Sequence, residues 1–252
     1  MSLPPPLTAL ADLDAQLAAS GYAVLDAASL ARLAGVAPQA FEAWRSCWDD
    51  LPPDGYLRDG GRYRRRRHAC FIVEPGGADA RERLHPVANR AHWQPLDYNA
   101  LHGGIERWFE PMHPVMTTDP AWAALLAALA DRAGRLREAP NQRWYVEAHP
   151  FRIDTTDGIG RPTPEGAHRD GVDLVAVLLI GRHGVQGGET RVFDARGPQG
   201  VRFTLTEAWS VLLLDDARVI HESTPIQPVD TALGGHRDTL VLTFRQQGFQ
   251  GP

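Results

Sequence analysis

The stretch PTPEGAHRDGVDLVAVLLI, residues 162 to 180, joins a turn-rich lead-in to a run of β-branched and aliphatic residues. Its second half predicts a buried strand. On either side of it, similar short runs separated by Gly, Pro and Asp occur at QRWYVEAHPFRI (142–153), GGETRVF (187–193), RFTLT (202–206), WSVLLL (209–214), ARVIHEST (217–224) and DTLVLTF (238–244). Strands at such regular spacing favour an antiparallel sandwich or small barrel of the jelly-roll type.

The N-terminal half differs, because residues 7–19 and 37–48 place apolar residues at three- and four-residue intervals. The clearest helix follows Asp119, a candidate N-cap, with Pro120 at the first helical position. We therefore expect an α+β fold: a jelly-roll (double-stranded β-helix, cupin-like) core with N-terminal helices packed on one face. Residues 1–252 would form a single domain, with a mostly helical part over 1–140 and the core, carrying any metal site, over 141–248.

Composition excludes several classes of protein. A net charge of −5 over 252 residues disfavours nucleic acid as a partner. The two cysteines, Cys47 and Cys70, form no motif typical of a disulfide framework or a structural zinc site. No apolar stretch reaches the length of a membrane span, and the start resembles no signal peptide. We expect a cytoplasmic protein with no membrane partner.

The tripeptide His-Arg-Asp occurs twice, at 168–170 and 236–238. A facial-triad iron site needs two histidines and one carboxylate. In a jelly roll the His-x-Asp pair comes first and a second histidine follows on a later strand. No histidine follows the second copy, so the first copy predicts His168, Asp170 and His221 as catalytic metal ligands. His236 is a rival for the third position, but it follows TALGG and is expected in the turn before the last strand. Three protein ligands indicate an open, reactive site suited to Fe(II), and less specifically to Zn(II) or Mn(II).

With Arg237 and Thr239 added, the set His168-x-Asp170, His221, Arg237-x-Thr239 resembles the non-haem Fe(II)/2-oxoglutarate-dependent dioxygenase superfamily. The resemblance implies Fe(II) as cofactor and 2-oxoglutarate and O2 as co-substrates. It assigns Arg237 and Thr239 to the distal carboxylate of 2-oxoglutarate, a role that suits a guanidinium and a hydroxyl on one strand face.

The flanking sequences RPTPEGAHRDGVDLV, GGETRVFD and RDTLVLTFR resemble the branch that contains bacterial free amino-acid hydroxylases, including isoleucine 4-hydroxylase. The resemblance covers mainly residues 142–245. It implies hydroxylation of a small polar metabolite, a free L-amino acid, with release of succinate and CO2. A homodimer is also expected.

Candidate substrate residues are Tyr145, Glu147, Arg152 and Glu165. Tyr145 and Glu147 share a strand face with His149 and either line a cavity or form the wet side of the strand. Glu165 could meet a substrate ammonium or be a solvated loop residue. The run RYRRRRHACF (62–71) presents alternate arginines to opposite faces, so one set could reach the pocket.

Two other classes of function stay open at this stage. One is a metal-binding jelly-roll sensor or regulatory protein that performs no oxidation. The other is a zinc-dependent cupin-type hydrolase or isomerase, for which Arg237 would be unimportant.

Overall fold

A computed structural model describes residues 3–77, 79–99 and 101–252. The α-helices are α1 (Leu13–Ser20), α2 (Ala27–Ala34), α3 (Ala80–Arg83), α4 (Pro114–Thr117) and α5 (Pro120–Leu136), and 3₁₀ helices span Leu10–Asp12 and Pro38–Trp48. The strands are β1 (Tyr22–Leu25), β2 (Arg64–Arg66), β3 (Ala69–Val73), β4 (Leu84–Val87), β5 (Trp144–Asp154), β6 (Leu174–His183), β7 (Val185–Gly187), β8 (Thr190–Asp194), β9 (Gly200–Phe203), β10 (Val211–Asp215), β11 (Val219–Ser223), β12 (Ile226–Pro228) and β13 (His236–Arg245).

Antiparallel pairing assembles these strands into one large sheet and two small ones. The large sheet has the order β1-β10-β6-β13-β5-β3-β4, and β2 also pairs with β5. The small sheets are β11-β8-β9 and β12-β7. The long strands β5, β6 and β13 form the centre of the large sheet, so whatever their side chains line lies in the middle of the molecule.

Alternation along the central strands separates a core face from a pocket face. Even-numbered residues such as Val146, Ala148, Leu240 and Leu242 are buried and belong to the main hydrophobic cluster with the helices. The odd-numbered residues of β5 pair with odd-numbered residues of β13, for example Phe151 with Thr239. Since successive side chains point to opposite faces, polar residues on the odd positions face the small sheets. A second apolar cluster between the sheets includes Val175 and Leu214.

The helices cover the outer face of the large sheet as expected. Helix α5 begins where the sequence predicts, because the Asp119 carboxylate accepts a hydrogen bond from the Ala121 amide at 2.8 Å. It buries Trp122 against the aromatic cluster of the 3₁₀ segment, where Trp44 lies 5.8 Å away between ring centroids.

The structure differs from the sequence expectation chiefly in the first half of the chain. Residues 1–140 supply four strands as well as helices, and β1 and β3 both extend the large sheet. These strands are only three to five residues long, too short for a periodic pattern to reveal. His236 was expected in a turn and instead begins β13. Among the described residues, no helix is both long and apolar enough to cross a membrane.

Candidate active site

His168, Asp170 and His221 meet between the large sheet and the β11-β8-β9 sheet. His221 lies on β11, and an isolated antiparallel bridge joins it to His168 through two backbone hydrogen bonds of 2.9 and 3.0 Å. The Nε2 atoms of His168 and His221 lie 3.9 and 3.8 Å from the Asp170 carboxylate oxygens. The three ligand atoms all lie within 4.8 Å of one another.

Hydrogen bonds fix the direction in which two of the ligands, His168 and Asp170, face. The Nδ1 of His168 lies 2.9 Å from the Gly166 carbonyl oxygen, which can only accept, so Nδ1 carries the proton and Nε2 presents a lone pair. Gln94 donates to Asp170 Oδ1 at 3.1 Å. The Asp216 carboxylate accepts from the backbone amides of Asp170, Gly171 and Val172. The loop that carries Asp170 is therefore held from two sides.

Burial dominates the electrostatics of the three ligands. It raises the pKa of Asp170, an effect that the neighbouring His168 opposes. The pKa of His221 lies well below its usual value because the ring is buried beside His168. The pKa of His168 is raised, since Asp170 and Glu165 outweigh the burial of its ring. Two imidazoles and a carboxylate thus form one coupled, water-poor cluster.

One wall of the adjoining pocket is the odd-numbered face of β13. Arg237, Thr239, Val241, Thr243 and Arg245 all line it. Arg237 is 3% exposed and Thr239 is 3% exposed. Burial lowers the pKa of Arg237 to about 10, and its Nε–H has no partner among the described residues. A buried guanidinium beside a hydroxyl is a site for a carboxylate.

A second cluster of titratable groups adjoins the same pocket; we call His68, His92, Glu147 and His149 the Glu147 cluster. His92, Glu147 and His149 line the pocket, and His68 is fully buried. Glu147 Oε2 lies 3.0 Å from His68 Nε2 and 2.6 Å from His92 Nδ1. The Nδ1 of His149 lies 2.5 Å from Arg66 Nη2. Both groups of residues combine histidines with a carboxylate around one cavity.

Comparison with known proteins identifies the family. A family model for 2OG-Fe dioxygenases matches residues 45–243. The chain belongs to the 2OG-Fe dioxygenase family. It is an Fe(II)- and 2-oxoglutarate-dependent dioxygenase, and the predicted α+β double-stranded β-helix is confirmed. The match favours this enzyme class over the sensor and the zinc-dependent hydrolase or isomerase.

Solved structures resemble the dioxygenase over almost its whole length. A bsmA homologue from Methylobium petroleophilum is 55% identical, with 99% of this chain and 98% of that one covered and a TM-score of 0.90. IDO from Bacillus thuringiensis is 16% identical, with coverages of 95% and 100% and a TM-score of 0.73. TqaL, an Fe(II)/α-ketoglutarate-dependent dioxygenase, is 19% identical, with coverages of 94% and 87% and a TM-score of 0.67. The last two show the fold alone. No curated protein matches the chain.

The donor set of the dioxygenase fits iron. Two histidines and one carboxylate make up the facial triad that leaves metal positions open for substrates. Ligand atoms in neighbouring positions on one metal at about 2.1 Å lie about 3 Å apart, and the separations of 3.8 and 3.9 Å are within about 1 Å of that value, a difference that small side-chain rotations close. His168 presents Nε2 as an acceptor toward the centre of the triad, as a ligand must.

The structure brings most of the predicted substrate residues to the pocket, but not all. Tyr145, Glu147 and Glu165 line it. Arg152 does not: as an even-numbered residue of β5 it points to the opposite face, where it makes two 2.8 Å hydrogen bonds to the Asp238 carboxylate. Its expected contact with substrate is therefore corrected to an ion pair between β5 and β13.

Sequence reasoning missed the residues contributed by the first half of the chain. Gln94, Asn99 and Arg107 line the pocket although they lie outside regular strands. The stretch WQPLDYNALHGGIERWFEP, residues 93–111, contains all three, but nothing in its spacing relates it to the triad. The clearer signal was the alternation of the arginines of residues 62–67, of which Arg64 and Arg66 are the set that faces the pocket.

Proposed function

We propose that this dioxygenase hydroxylates a free L-amino acid, with His168, Asp170 and His221 holding iron. In the overall reaction one oxygen atom of O2 enters a substrate C–H bond as a hydroxyl. The other enters 2-oxoglutarate, which leaves as succinate and CO2. The single observation that carries the substrate class is a pocket in which two carboxylates, Glu147 and Glu165, and buried arginines both lie beside the triad.

The assignment of the co-substrate rests on β13. Arg237 offers a buried N–H without a partner among the described residues, and Thr239 stands two residues along on the same face. The distal carboxylate of 2-oxoglutarate would supply the missing acceptor and neutralise a buried cation. The other end of 2-oxoglutarate would then reach toward the triad.

The amino-acid assignment rests on the charges that line the pocket. The pocket lies beside the triad, opens to solvent and combines apolar with charged side chains, as small-molecule sites do. Glu165 Oε2 is buried without a hydrogen-bond partner among the described residues. Glu147 is ionised, because hydrogen bonds from His68 and His92 more than offset the burial that would raise its pKa. A zwitterion would suit such a mixture of charges.

The residues of this chain perform the binding and the exclusion of water. When bound, iron with 2-oxoglutarate and O2 supplies the oxidising chemistry of the family. Gln94 holds the Asp170 carboxylate, and Gly166 fixes the ring of His168. Gln250, near the C-terminus, donates to the carbonyl oxygens of Asp170 and Gly171 at 3.0 Å and closes one side of the pocket.

The test is 2-oxoglutarate turnover by the purified enzyme with Fe(II), ascorbate and O2, using each proteinogenic L-amino acid in turn. We expect one or a few amino acids to stimulate succinate release and to gain the mass of one oxygen atom. Stimulation by none of them, with 2-oxoglutarate still consumed, would reject the substrate class and leave the dioxygenase in place. The expected homodimer is tested separately by sedimentation of the same sample.

A further inference from the structure

Three buried arginines form a wall of the pocket that neither the triad nor the co-substrate site uses. Arg64 and Arg66 project from β2, and Arg107 follows from the segment between β4 and α4; we call the three the arginine wall. Their exposures are 6%, 2% and 2%. Guanidinium groups are almost never buried to this extent unless they are paired.

The described residues provide too few carboxylates to pair with the arginine wall. Asp54 Oδ2 lies 2.7 Å from Arg64 Nε and 4.0 Å from Arg66 Nη1. Arg107 makes no ion pair with a described residue and only donates to the Gln94 side-chain oxygen, at 2.9 Å. Burial lowers the pKa of Arg107 to about 10 and that of Arg66 as well. The wall therefore carries uncompensated positive charge.

Hydrogen-bond donors are also left without acceptors there. Within the part of the chain that is described, Arg64 Nη2, Arg66 Nε and Arg107 Nε are buried and have no partner. Stacking fixes one of the three groups in place, because the Arg66 guanidinium lies 4.0 Å from the Phe109 ring and 4.3 Å from the Phe151 ring. A rigid set of unsatisfied cationic donors is a preformed anion site.

We propose that the arginine wall binds the α-carboxylate of the amino-acid substrate and that Glu165 accepts its ammonium group. This inference rests on the proposed function and names the groups that recognise its substrate. Glu165 Oε1 lies 3.6 Å from His168 Nε2, so the ammonium side of the substrate faces the triad. Arg107 and Glu165 both line the pocket and form no ion pair with each other. The zwitterion fills the gap between them.

Gln94 connects this carboxylate site to the metal. Its side-chain oxygen accepts from Arg107 at 2.9 Å, and its Nε2 donates to Asp170 at 3.1 Å. One amide group therefore separates the arginine wall from a predicted iron ligand. A substrate anchored there presents carbons close to its own α-carbon to the triad, which fits a small amino acid.

The arginine wall and the 2-oxoglutarate site are distinct positions, because Arg64 and Arg66 lie on β2 and Arg237 lies on β13, on opposite sides of β5. Ile153 of β5 pairs with Arg64 on one side and with Arg237 on the other. Two strand spacings make about 10 Å between the backbones of the two arginines. Each anion can therefore have its own arginines, and the two affinities can be measured separately.

The test compares Arg107→Gln with a matched control, Arg65→Gln. Arg65 neighbours the wall on β2, but its side chain is 42% exposed and pairs with Asp154. Using the amino acid that best stimulates the wild type, we expect Arg107→Gln to raise the Michaelis constant for that amino acid by roughly 10- to 100-fold, the loss of a charge-assisted hydrogen bond. The Michaelis constant for the co-substrate should change by less than about threefold. Arg65→Gln should match the wild type in both constants.

A second measurement uses only the wild-type protein, so it tests the proposal even if Arg107→Gln does not fold. Calorimetry of the Mn(II)- and 2-oxoglutarate-loaded wild type should detect binding of the stimulating amino acid and no binding of the amine that lacks its carboxylate. Equal binding of amine and amino acid would overturn the carboxylate site and leave the hydroxylase intact. If Arg107→Gln raised only the Michaelis constant for 2-oxoglutarate, the arginine wall would be assigned to the co-substrate instead. If no amino acid stimulates the wild type, the proposed substrate class fails and the carboxylate site fails with it.

Discussion

The triad and the Glu147 cluster contain nearly the same side chains, yet only one of them is built to bind a metal. Each brings histidines and a carboxylate within 4.8 Å around a single pocket. Residue types and distances alone would rank the Glu147 cluster, with three histidines and one glutamate, as the richer site. The difference lies in where the protons are.

In the triad, the atoms that face the centre are acceptors. The Gly166 carbonyl takes the Nδ1 proton of His168, so Nε2 is free to donate its lone pair to a metal. The Nδ1 of His221 has no partner among the described residues, and its Nε2 faces Asp170. Charge around the centre is negative, since Asp170 and Glu165 both act on His168.

In the Glu147 cluster, the atoms that face the centre are donors. Arg66 can only donate to His149 Nδ1, so the proton of that ring sits on Nε2, 3.7 Å from Glu147 Oε2. His68 and His92 direct their N–H groups to the same oxygen. A metal would have to displace these protons beside the buried Arg66 and Arg107. The two clusters thus differ in the hydrogen-bond partners of their histidine rings more than in their residue types, and these partners determine which cluster can bind a metal.

The largest expected effect comes from the metal stoichiometry. We expect one Fe(II) or Mn(II) per chain in the wild type, loss of that ion and of 2-oxoglutarate turnover in His168→Ala, and one ion retained in His149→Gln. Metal analysis after equilibrium dialysis gives the numbers. Two ions in the wild type, with one lost in His149→Gln, would show that the Glu147 cluster also holds a metal.

The next effect is on stability. Glu147→Gln removes a buried charge to which two imidazoles donate, and we expect a loss of about 3–5 kcal/mol in the free energy of unfolding. Urea denaturation at neutral pH measures it. The control Glu110→Gln removes a carboxylate that is 60% exposed and paired with Arg67, and should change stability by at most about 1 kcal/mol. A neutral or stabilising Glu147→Gln would mean that the carboxylate is held for function at a cost in stability.

Whether the sequence alone predicts the position of a pocket residue depends on the element that carries the residue. The patterns of β5, β6 and β13 predicted long strands, and the alternation of β5 predicted that Tyr145 and Glu147 share a face with His149. Chain order singled out the first His-Arg-Asp, whose residues meet His221 in space. Periodicity succeeds here because a half-buried strand repeats every two residues.

The sequence could not predict the opposite wall of the pocket. Gln94 and Arg107 lie outside regular strands, and their contacts with Asp170 and with each other span between 13 and 76 residues of chain. Arg152 was misplaced for a related reason: its side chain was assigned to the pocket although the alternation that includes Glu147 puts it on the other face. Its partner, Asp238, explains its burial instead.

An effect of intermediate size is expected from arginines on the two faces of β5 and β13, because only one face lines the pocket. Arg237→Gln should raise the Michaelis constant for the co-substrate by roughly 100-fold, because a charge-assisted contact to a carboxylate is lost in a buried site. Arg152→Gln removes an arginine from a neighbouring position on the other face and should change that constant by less than about threefold. Steady-state succinate formation at varied 2-oxoglutarate concentration measures it for both variants. Equal effects of the two variants would mean that Arg237 acts through the sheet and not on the co-substrate.

The smallest effect is a change in the pH dependence of stability. Burial lowers the pKa of His92 to about 3, against about 6.5 in an unfolded chain. As the pH drops below about 6.5, His92 therefore takes up a proton in the unfolded chain and stays neutral in the folded protein. The free energy of unfolding decreases with each further drop in pH until about pH 3. The contribution of one such group is about 1.4 kcal/mol per pH unit.

His92→Asn keeps a donor for Glu147 but removes this titration, so its free energy of unfolding should fall less steeply than that of the wild type between pH 6 and pH 4 (about 1.4 kcal/mol less per pH unit). Chemical denaturation of the metal-free proteins at several pH values gives the slopes. The exposed His85 on β4 provides the control, because His85→Asn should keep the wild-type slope. If His92→Asn also kept the wild-type slope, His92 would be protonated in the folded protein. The Glu147 cluster would then consist of charged ion pairs and not of neutral donors.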